Sequence, residues 1–216
     1  MLNIAVLVSG GGTNLQALID AEKGGRITPG RIALVISSRA DAFALERAKK
    51  AGIPTSVLTR KEFASQQEYD ESLLSILSQN KIELIVLAGF MTIISENVIQ
   101  HYENKIINVH PALIPSFCGE GYYGLKVHEA VLRKGVKVTG ATVHFVNEIC
   151  DGGPIILQKA VEVLSDDTPE SLQKRVMEQA EWKLLPKAVA LFCQGKILIN
   201  DGKTNLREDL HEYQEN

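Results

Sequence analysis

Short apolar runs rich in β-branched residues alternate, over the first half of the chain, with segments whose apolar residues recur every three or four positions. The apolar runs predict five buried strands, at residues 4–8, 32–36, 55–58, 84–88 and 105–109. The segments between them predict helices, at 14–22, at 42–51 with Asp41 as its cap, and around Tyr69 and Leu77. This alternation indicates an α/β fold with a doubly wound, mainly parallel sheet.

The pattern changes after Pro111. A loop rich in glycine and aromatic residues, 115–124, precedes a short predicted helix at 125–134. Two long strands, 138–146 and 154–163, are expected to form a hairpin around a loop long enough to bind a ligand. Thr168 and Pro169 begin a long C-terminal helix that reaches about Cys193 and is expected to bend at Pro186. We expect one domain over residues 1–206 and a frayed polar tail at 207–216.

Composition and charge narrow the class of protein. With 216 residues and 45% hydrophobic content, the chain is long enough to bury a substantial core. A formal net charge of −3 disfavours binding to nucleic acid or to a membrane surface, which both require clustered Lys and Arg. The N-terminal apolar run is too short to span a membrane and lacks the basic start of a signal peptide, so a cytoplasmic protein is expected. Three cysteines without CxxC spacing are expected to remain free thiols.

A glycine-rich loop, Ser9-Gly10-Gly11-Gly12-Thr13-Asn14, lies between the first predicted strand and the first predicted helix. Backbone amides in such a loop converge with the helix N-terminus on an anion, so the loop predicts a site for one phosphate. A tight turn without a ligand is the alternative. A nicotinamide dinucleotide fits less well, because Leu15 replaces the third glycine of the dinucleotide motif and no acidic residue ends the second strand.

The segment Asn108-Val109-His110-Pro111 ends the fifth predicted strand, on the side of an α/β sheet where ligands bind. Residues two apart in an extended segment point the same way, so the Asn108 amide and the His110 imidazole can face one substrate. The amide can donate to an oxyanion, the imidazole can exchange a proton near neutral pH, and Asp151 can hold the imidazole charged. None of the three is a strong nucleophile, so the pattern favours direct attack of an amine on an acyl carbon.

Other interpretations of these residues stay open. His144 alternates with Thr142 on its strand and can approach the same site, although a hydrogen-bonded structural histidine is the more common case. His110, His144 and Asp151 would also make a two-histidine, one-carboxylate metal site, which lacks supporting spacing and is not favoured. The remaining histidines are expected on the surface: His101, His128 and His211.

In their order along the chain, these segments resemble the phosphoribosylglycinamide formyltransferases, a family of folate-dependent enzymes of purine synthesis. The resemblance covers nearly the whole length. It is carried by SGGGTNLQ at 9–16, ADAF at 40–43, LAGFM at 87–91, NVHP at 108–111, TVHF at 142–145 and DGGP at 151–154. It implies a formyltransferase-like variant of the Rossmann fold, with a phosphate-binding lobe at 1–110 and a folate-binding, catalytic lobe at 111–206.

The resemblance implies transfer of a formyl group from 10-formyltetrahydrofolate, as co-substrate, to the amine of phosphoribosylglycinamide, through a tetrahedral intermediate and without a metal. In this reaction Asn108 and His110 stabilise the oxyanion, and Asp151 keeps His110 protonated and helps to move the proton of the amine. The implied acceptor contacts are Gly11, Gly12, Thr13, Asn14 and Glu181. The implied folate contacts are Met91, Thr92, Ile93, Ile94, Asn108, Glu148, Ile149 and Cys150, although core packing explains residues 91–94 equally well. The partners are then small molecules only, bound by a monomer or a homodimer.

Two departures and three alternatives accompany the resemblance. The segment 118–124 is longer than the Pro-Gly segment often found in relatives, and Trp182 stands where a histidine often follows the family's glutamate. A 10-formyltetrahydrofolate hydrolase would share the catalytic residues but use water as acceptor, and it usually carries an extra N-terminal domain. Methionyl-tRNA formyltransferase is longer and has an RNA-binding domain. A nucleotide-binding module of another class would leave Asn108 and His110 purely structural.

Overall fold

Seven strands form one sheet at the centre of the computed structural model, which describes residues 1–207. In chain order the strands are β1 (Leu2–Val8), β2 (Gly30–Ser37), β3 (Thr55–Val57), β4 (Leu84–Leu87), β5 (Ile106–His110), β6 (Val138–Phe145) and β7 (Ile155–Glu162). They lie in the order β3-β2-β1-β4-β5-β6-β7, and β1 to β5 run parallel. Since β6 is antiparallel to both β5 and β7, the predicted doubly wound sheet with a later hairpin is confirmed.

Helices connect and cover these strands. They are α1 (Thr13–Lys23), α2 (Phe43–Lys50), α3 (Gln66–Gln79), α4 (Glu96–His101), α5 (Leu125–Lys134), α6 (Pro169–Val176) and α7 (Trp182–Cys193). A 3-10 turn lies at Arg60–Glu62, a π-helical turn at Met177–Glu181 joins α6 to α7, and a small hairpin follows, β8 (Ile197–Asn200) and β9 (Lys203–Leu206). The predicted tail, 207–216, lies outside the described residues apart from Arg207. Within residues 1–207, no helix is long and apolar enough to cross a membrane.

Each face of the sheet carries its own core, because successive side chains along a strand point to opposite faces. Val6 and Val8 of β1 belong to one core together with Leu15 of α1. Leu7, between the two valines, belongs to the other core together with Leu73 of α3. With both faces covered, ligand-binding loops are left to the ends of the strands, and the loops that follow β1, β4 and β5 carry the candidate site.

Two local expectations differ from the structure. Asp41 does not cap α2, which begins at Phe43, because its carboxylate accepts two hydrogen bonds from the Arg39 guanidinium at 2.9 and 2.7 Å. A bidentate, charge-assisted pair is stronger than a single bond to a helix amide. The C-terminal helix begins with Thr168 as its cap, as predicted, but it leaves α-helical geometry at 177–181, before it reaches Pro186.

Candidate active site

Strands β5 and β6 set the positions of the predicted catalytic side chains. Their antiparallel register pairs Asn108 with His144, and His110 with Thr142. Cross-strand partners project to the same face of a sheet, as do residues two apart on one strand. Asn108, His110 and His144 therefore converge on one place, where both histidines are buried and Asn108 is half-buried.

Asp151 reaches this cluster from the loop between β6 and β7. Its backbone lies in the left-handed region, with a φ of 55°, and this turns the side chain back toward β5. The carboxylate lies 3.5 Å from His110 Nδ1 and 3.6 Å from His144 Nε2. The Gly119 amide donates to the same carboxylate at 2.9 Å. The structure thus brings Asn108, His110 and Asp151 together and adds His144 to them.

Carbonyl groups fix the protonated nitrogen of both histidines. His144 Nδ1 lies 2.8 Å from the Phe145 carbonyl oxygen, so Nδ1 carries the proton and the bare Nε2 accepts from the Asn108 amide, 3.2 Å away. His110 Nε2 lies 2.8 Å from the Phe117 carbonyl oxygen, so Nε2 carries the proton. The lone pair on Nδ1 of the neutral ring then faces the aspartate carboxylate. A proton added to His110 would find an acceptor already in place.

Burial and charge act in opposite directions on His110 and Asp151. Burial lowers the pKa of His110 below its ordinary 6.5, and the opposing charge of Asp151 does not restore it. Burial raises the pKa of Asp151, but its neighbours, among them the Gly119 amide that donates to it, hold it below 3.8. At neutral pH the pair therefore rests as a neutral imidazole beside an ionised carboxylate. This differs from the implied resting imidazolium, because desolvation of a buried ring outweighs one carboxylate 3.5 Å away.

The glycine-rich loop turns from β1 into α1 through Gly12, whose φ is 70°. A side chain at Gly12 would also lie 2.6 Å from the Ala44 methyl group of α2, so the position requires glycine twice over. Gly10 and Gly11 are exposed, and no side chain caps α1. The amides of the first helical turn therefore lack a side-chain cap.

Asn14 and Glu181 join this loop to the π-helical turn. The Asn14 amide donates to the Glu181 carboxylate at 2.7 Å, and the Thr13 hydroxyl contacts Met177 of the same turn at 3.7 Å. Burial raises the pKa of Glu181 to about 7, and the hydrogen bond from Asn14 acts against the shift. The side-chain oxygen of Asn14, Oδ1, is buried without a partner among the described residues. Such an acceptor is ready for a donor from a ligand.

The segment after β4 lies beside the glycine-rich loop. The Ser9 hydroxyl accepts from the Met91 amide at 2.8 Å and lies 2.6 Å from the Ser38 hydroxyl. Met91 and Ile93 are 53% and 84% exposed, which is unusual for neighbouring large apolar side chains. Thr92 is half-buried, whereas Ile94 packs into the core and has only its backbone to offer a ligand.

The loop that carries Asp151 supplies the remaining predicted folate contacts. Glu148, Ile149 and Cys150 are all exposed, and the Ile149 amide donates to the Asn147 side chain at 3.1 Å. Partial burial of the thiol and the charge of Asp151 raise the pKa of Cys150. Cys150 is therefore a neutral thiol at physiological pH, suited to contact a ligand and not to attack one.

The histidines outside this cluster differ from one another. His101 is exposed on α4, as expected, but His128 on α5 is fully buried, and both of its ring nitrogens lack a partner among the described residues. Burial lowers the pKa of His128 to about 4, and the charge of His110 adds to the shift. The expected surface position of His128 is wrong, while His211 lies outside the described residues. Within residues 1–207, no group of three or more His, Cys, Asp or Glu side chains is arranged to hold a metal ion.

Comparison with known proteins identifies the family of this chain. Residues 2–189 match the model of the formyl transferase family, which is well over half of the chain. The chain belongs to the formyl transferase family. It is 42% identical to the phosphoribosylglycinamide formyltransferase of Haemophilus influenzae, over 93% of this chain and 92% of that protein. Its identity to the Escherichia coli K12 protein of the same name is 40%, over 93% and 91% of the two chains.

Solved structures of formyl transferases agree with this assignment. The crystal structure of glycinamide ribonucleotide transformylase 1 from Symbiobacterium toebii matches with a TM-score of 0.90 at 41% identity, covering 96% of this chain and 95% of that one. The region matched by the family model contains every predicted site residue, from Gly11 to Glu181.

Sequence reasoning missed three participants in this formyl transferase site. The Phe117 carbonyl and the Gly119 amide contact the predicted catalytic side chains, and the Ser9 hydroxyl accepts a hydrogen bond from the segment after β4. Main-chain groups leave no direct trace in residue identity. The one available signal was the glycine-rich composition of the loop 115–124, since glycine marks backbone that must adopt positive φ.

Proposed function

We propose that this formyl transferase moves the formyl group of 10-formyltetrahydrofolate to the amine of phosphoribosylglycinamide, in purine synthesis. The products are phosphoribosyl-N-formylglycinamide and tetrahydrofolate. The proposal is carried by the convergence of Asn108, His110 and Asp151, with the carboxylate 3.5 Å from the imidazole, near a loop suited to a phosphate. Attack by an amine requires a group that takes its proton and a donor for the oxyanion, and these side chains supply both. The relatives are named for the same reaction.

The acceptor is bound by the N-terminus of α1 and by the π-helical turn. The phosphate lies on the amides of Gly11, Gly12, Thr13 and Asn14. The Glu181 carboxylate accepts hydrogen bonds from the ribose hydroxyls, and the unpartnered Asn14 carbonyl oxygen takes a further donor. Because Glu181 belongs to residues 111–206, the two lobes share the acceptor site, and residues 1–206 act as one catalytic unit.

The donor is bound between the segment after β4 and the loop that carries Asp151. The exposed side chains of Met91, Ile93 and Ile149 offer apolar surface to a flat ring. Thr92, Ile94, Glu148 and Cys150 add main-chain and polar contacts along the same edge. The residues present therefore fit a folate, whose pterin ring combines an apolar face with a rim of hydrogen-bonding groups. The formyl group lies next to Asn108.

Asn108 is the oxyanion donor. Its amide nitrogen carries two hydrogens, and His144 Nε2 accepts only one of them. The other hydrogen binds the formyl oxygen as negative charge develops there during attack by the amine. His144 thereby fixes the orientation of the carboxamide, since its tautomer is set by the Phe145 carbonyl.

His110 and Asp151 transfer the proton. Since His110 is neutral at rest, it accepts the proton that the attacking amine loses, relayed through a water bound to Asp151. The resulting imidazolium has an acceptor on each nitrogen, the Phe117 carbonyl and the Asp151 carboxylate, and its charge stabilises the neighbouring oxyanion. The proton then passes to the folate nitrogen as the carbon–nitrogen bond to the donor breaks.

The test is incubation with 10-formyltetrahydrofolate in the presence and absence of phosphoribosylglycinamide, with both products identified by mass. We expect tetrahydrofolate only when the acceptor is present, in amounts equal to the formylated acceptor. Release of formate without acceptor would identify a hydrolase instead. The Asn14–Glu181 pair favours the transferase, because an enzyme that uses water needs no second substrate site. Binding of a nicotinamide cofactor without turnover of the formyl donor would identify a nucleotide-binding module. That result would contradict both the transferase and the hydrolase.

We also propose that the protein works in the cytoplasm on small molecules alone, as a monomer or a homodimer. The net charge of −3 supports the exclusion of nucleic acid and membrane surfaces. Sedimentation at micromolar concentration distinguishes the two oligomeric states.

A further inference from the structure

The segment from Phe117 to Gly119 contacts both members of the proton-transfer pair through its main chain. The Phe117 carbonyl accepts from His110 Nε2 at 2.8 Å, and the Gly119 amide donates to the Asp151 carboxylate at 2.9 Å. The two contacts match the chemistry of their targets, because an acceptor meets the ring N–H and a donor meets the carboxylate. Two residues of one loop thus contact the His110 imidazole on β5 and the Asp151 carboxylate on the loop between β6 and β7.

This segment has a backbone conformation that its surroundings must maintain. The φ values of Phe117 and Gly119 are 51° and 88°. The left-handed region costs a non-glycine residue about 1–2 kcal/mol, so Phe117 requires compensation from other contacts. Its ring supplies them, since it packs edge-on against Tyr122 at 6.4 Å and contacts the core beneath. The carbonyl and the amide are therefore presented by a fixed piece of backbone.

We propose that Phe117 and Gly119 are positioning residues for formyl transfer, whose main-chain groups hold the His110 ring and the Asp151 carboxylate in the orientation that proton transfer requires. The proposal rests on the proposed function, because it assigns this loop a part in that reaction. It gives a role to the loop that is longer here than the short segment of many relatives.

Of Phe117 and Gly119, Gly119 has the larger effect on the Asp151 carboxylate, because its amide donates to it. Of the three contacts described for the Asp151 carboxylate, the amide contact is the shortest, since the two histidines lie at 3.5 and 3.6 Å. The other titratable groups around it are Cys118, Cys150 and Glu120. Both thiols are neutral at physiological pH, because burial and Asp151 raise their pKa, and Glu120 is exposed. Loss of the amide would leave the carboxylate free to rotate away from His110.

The loop provides its own matched control. Gly119 and Gly121 have φ values of 88° and 86°, and a side chain added to either would meet nothing within 4 Å. Gly119→Ala and Gly121→Ala therefore impose the same backbone strain without a clash. Only Gly119 donates its amide to the catalytic carboxylate. A difference between the two variants isolates that hydrogen bond from general loop strain.

The experiment compares both variants with the wild-type protein in steady-state kinetics and in a carbon-13 NMR titration of the Asp151 carboxyl group. Gly119→Ala should lower kcat by on the order of tenfold, with KM for both substrates changed by less than about twofold. The Asp151 titration should move to higher pH, because alanine strained at a φ of 88° displaces the amide of residue 119, which is one of the groups that lower the pKa of this carboxyl. Gly121→Ala should match the wild type in all three measurements.

Equal losses in the two alanine variants, or a Gly119→Ala variant with normal kcat and normal titration, would overturn the proposal. Gly119→Asn is a conservative variant, because asparagine tolerates positive φ. It should recover most of the lost turnover, and failure to do so in a folded protein also counts against the proposal. If Gly119→Ala does not fold, hydrogen exchange in the wild type decides, since the Gly119 amide must exchange more slowly than that of Gly121. Both the exchange and the titration need no turnover, so they remain decisive even if formyl transfer is not observed.

Discussion

Replacing His128 by leucine should stabilise the protein, and more so as the pH falls. His128 is 0% exposed, and both ring nitrogens lack a partner within residues 1–207. A buried polar group without a hydrogen bond costs about 1–3 kcal/mol, whereas leucine occupies a similar volume without that cost. His128→Leu should therefore raise the free energy of unfolding by about 1 kcal/mol at pH 7.

Protonation of His128 opposes folding, which gives the effect its pH dependence. Burial holds the pKa of His128 at about 4 in the folded protein, against 6.5 for an ordinary ring, so the unfolded chain binds this proton first as the pH falls. Each pKa unit corresponds to about 1.4 kcal/mol, so this histidine costs the folded state about 3 kcal/mol by pH 4. The cost is absent above pH 6.5 and grows as the pH falls from 6.5 toward 4.

Glu181 has the opposite effect on the pH dependence of stability, and in the wild type it offsets the cost of His128. Burial raises the pKa of Glu181 from 4.5 to about 7, so the fold favours its protonated form. Its contribution to stability is fully present below pH 4.5 and is lost as the pH rises through about 7. The wild-type stability should consequently vary little between pH 4.5 and 6.5, and His128→Leu should expose the slope that Glu181 produces.

The assay is urea denaturation at pH 7, 5.5 and 4.5, with the exposed His101→Gln as the control variant. The difference in unfolding free energy between His128→Leu and the wild type should widen by about 2–3 kcal/mol from pH 7 to pH 4.5, and by more than the difference for the control variant. A difference for His128→Leu that does not change with pH would show that the ring is solvated or hydrogen-bonded in the folded state.

Three further predictions concern the site itself. Asn108→Ala should lower turnover by on the order of 100-fold or more with an unchanged circular dichroism spectrum, and near-normal turnover would contradict the oxyanion role. Asp151→Asn should lower the pKa of His110 further, because this carboxylate is the main group that raises it; an unchanged ring-proton NMR titration would refute the coupling. Glu181→Gln should raise the acceptor KM about tenfold without affecting the donor KM. In the wild type the acceptor KM should rise as the pH falls through about 7, and the glutamine variant should lose that dependence.

The fold was predictable from the sequence wherever one periodicity dominated. The run 105–109 of strand residues, and the helix at 125–134, lie within a residue of β5 and α5. Prediction failed where tertiary contacts decide between local options. Asp41 had a suitable position for a helix cap, but its carboxylate accepts hydrogen bonds from Arg39 instead. The π-helical turn at Met177–Glu181 has no signature in the sequence, because the pattern continues as helix on both sides.

The same distinction, between features set by local pattern and features set by tertiary contacts, applies to the candidate site. The positions of Asn108 and His110 follow from strand alternation. The contact of His110 with Asp151 could be proposed only from the chemistry of the two side chains, because sequence separation carries no distance. His128 was misplaced because a histidine was assumed to be polar surface, although it precedes Val131 by three residues and so lies on the buried face of α5. The contributions of Phe117 and Gly119 come from main-chain atoms, which side-chain chemistry cannot reveal.

The Ser9 hydroxyl links the two proposed substrate sites. It stands at the start of the glycine-rich loop proposed to bind the acceptor phosphate, yet it accepts a hydrogen bond at 2.8 Å from the amide of Met91, at the start of the segment proposed to bind the donor. A change in the conformation of one loop can therefore reach the other through this hydrogen bond. Evolution toward a bulkier folate or a different amine would therefore have to accommodate both ligands at once, which constrains how far either specificity can drift alone.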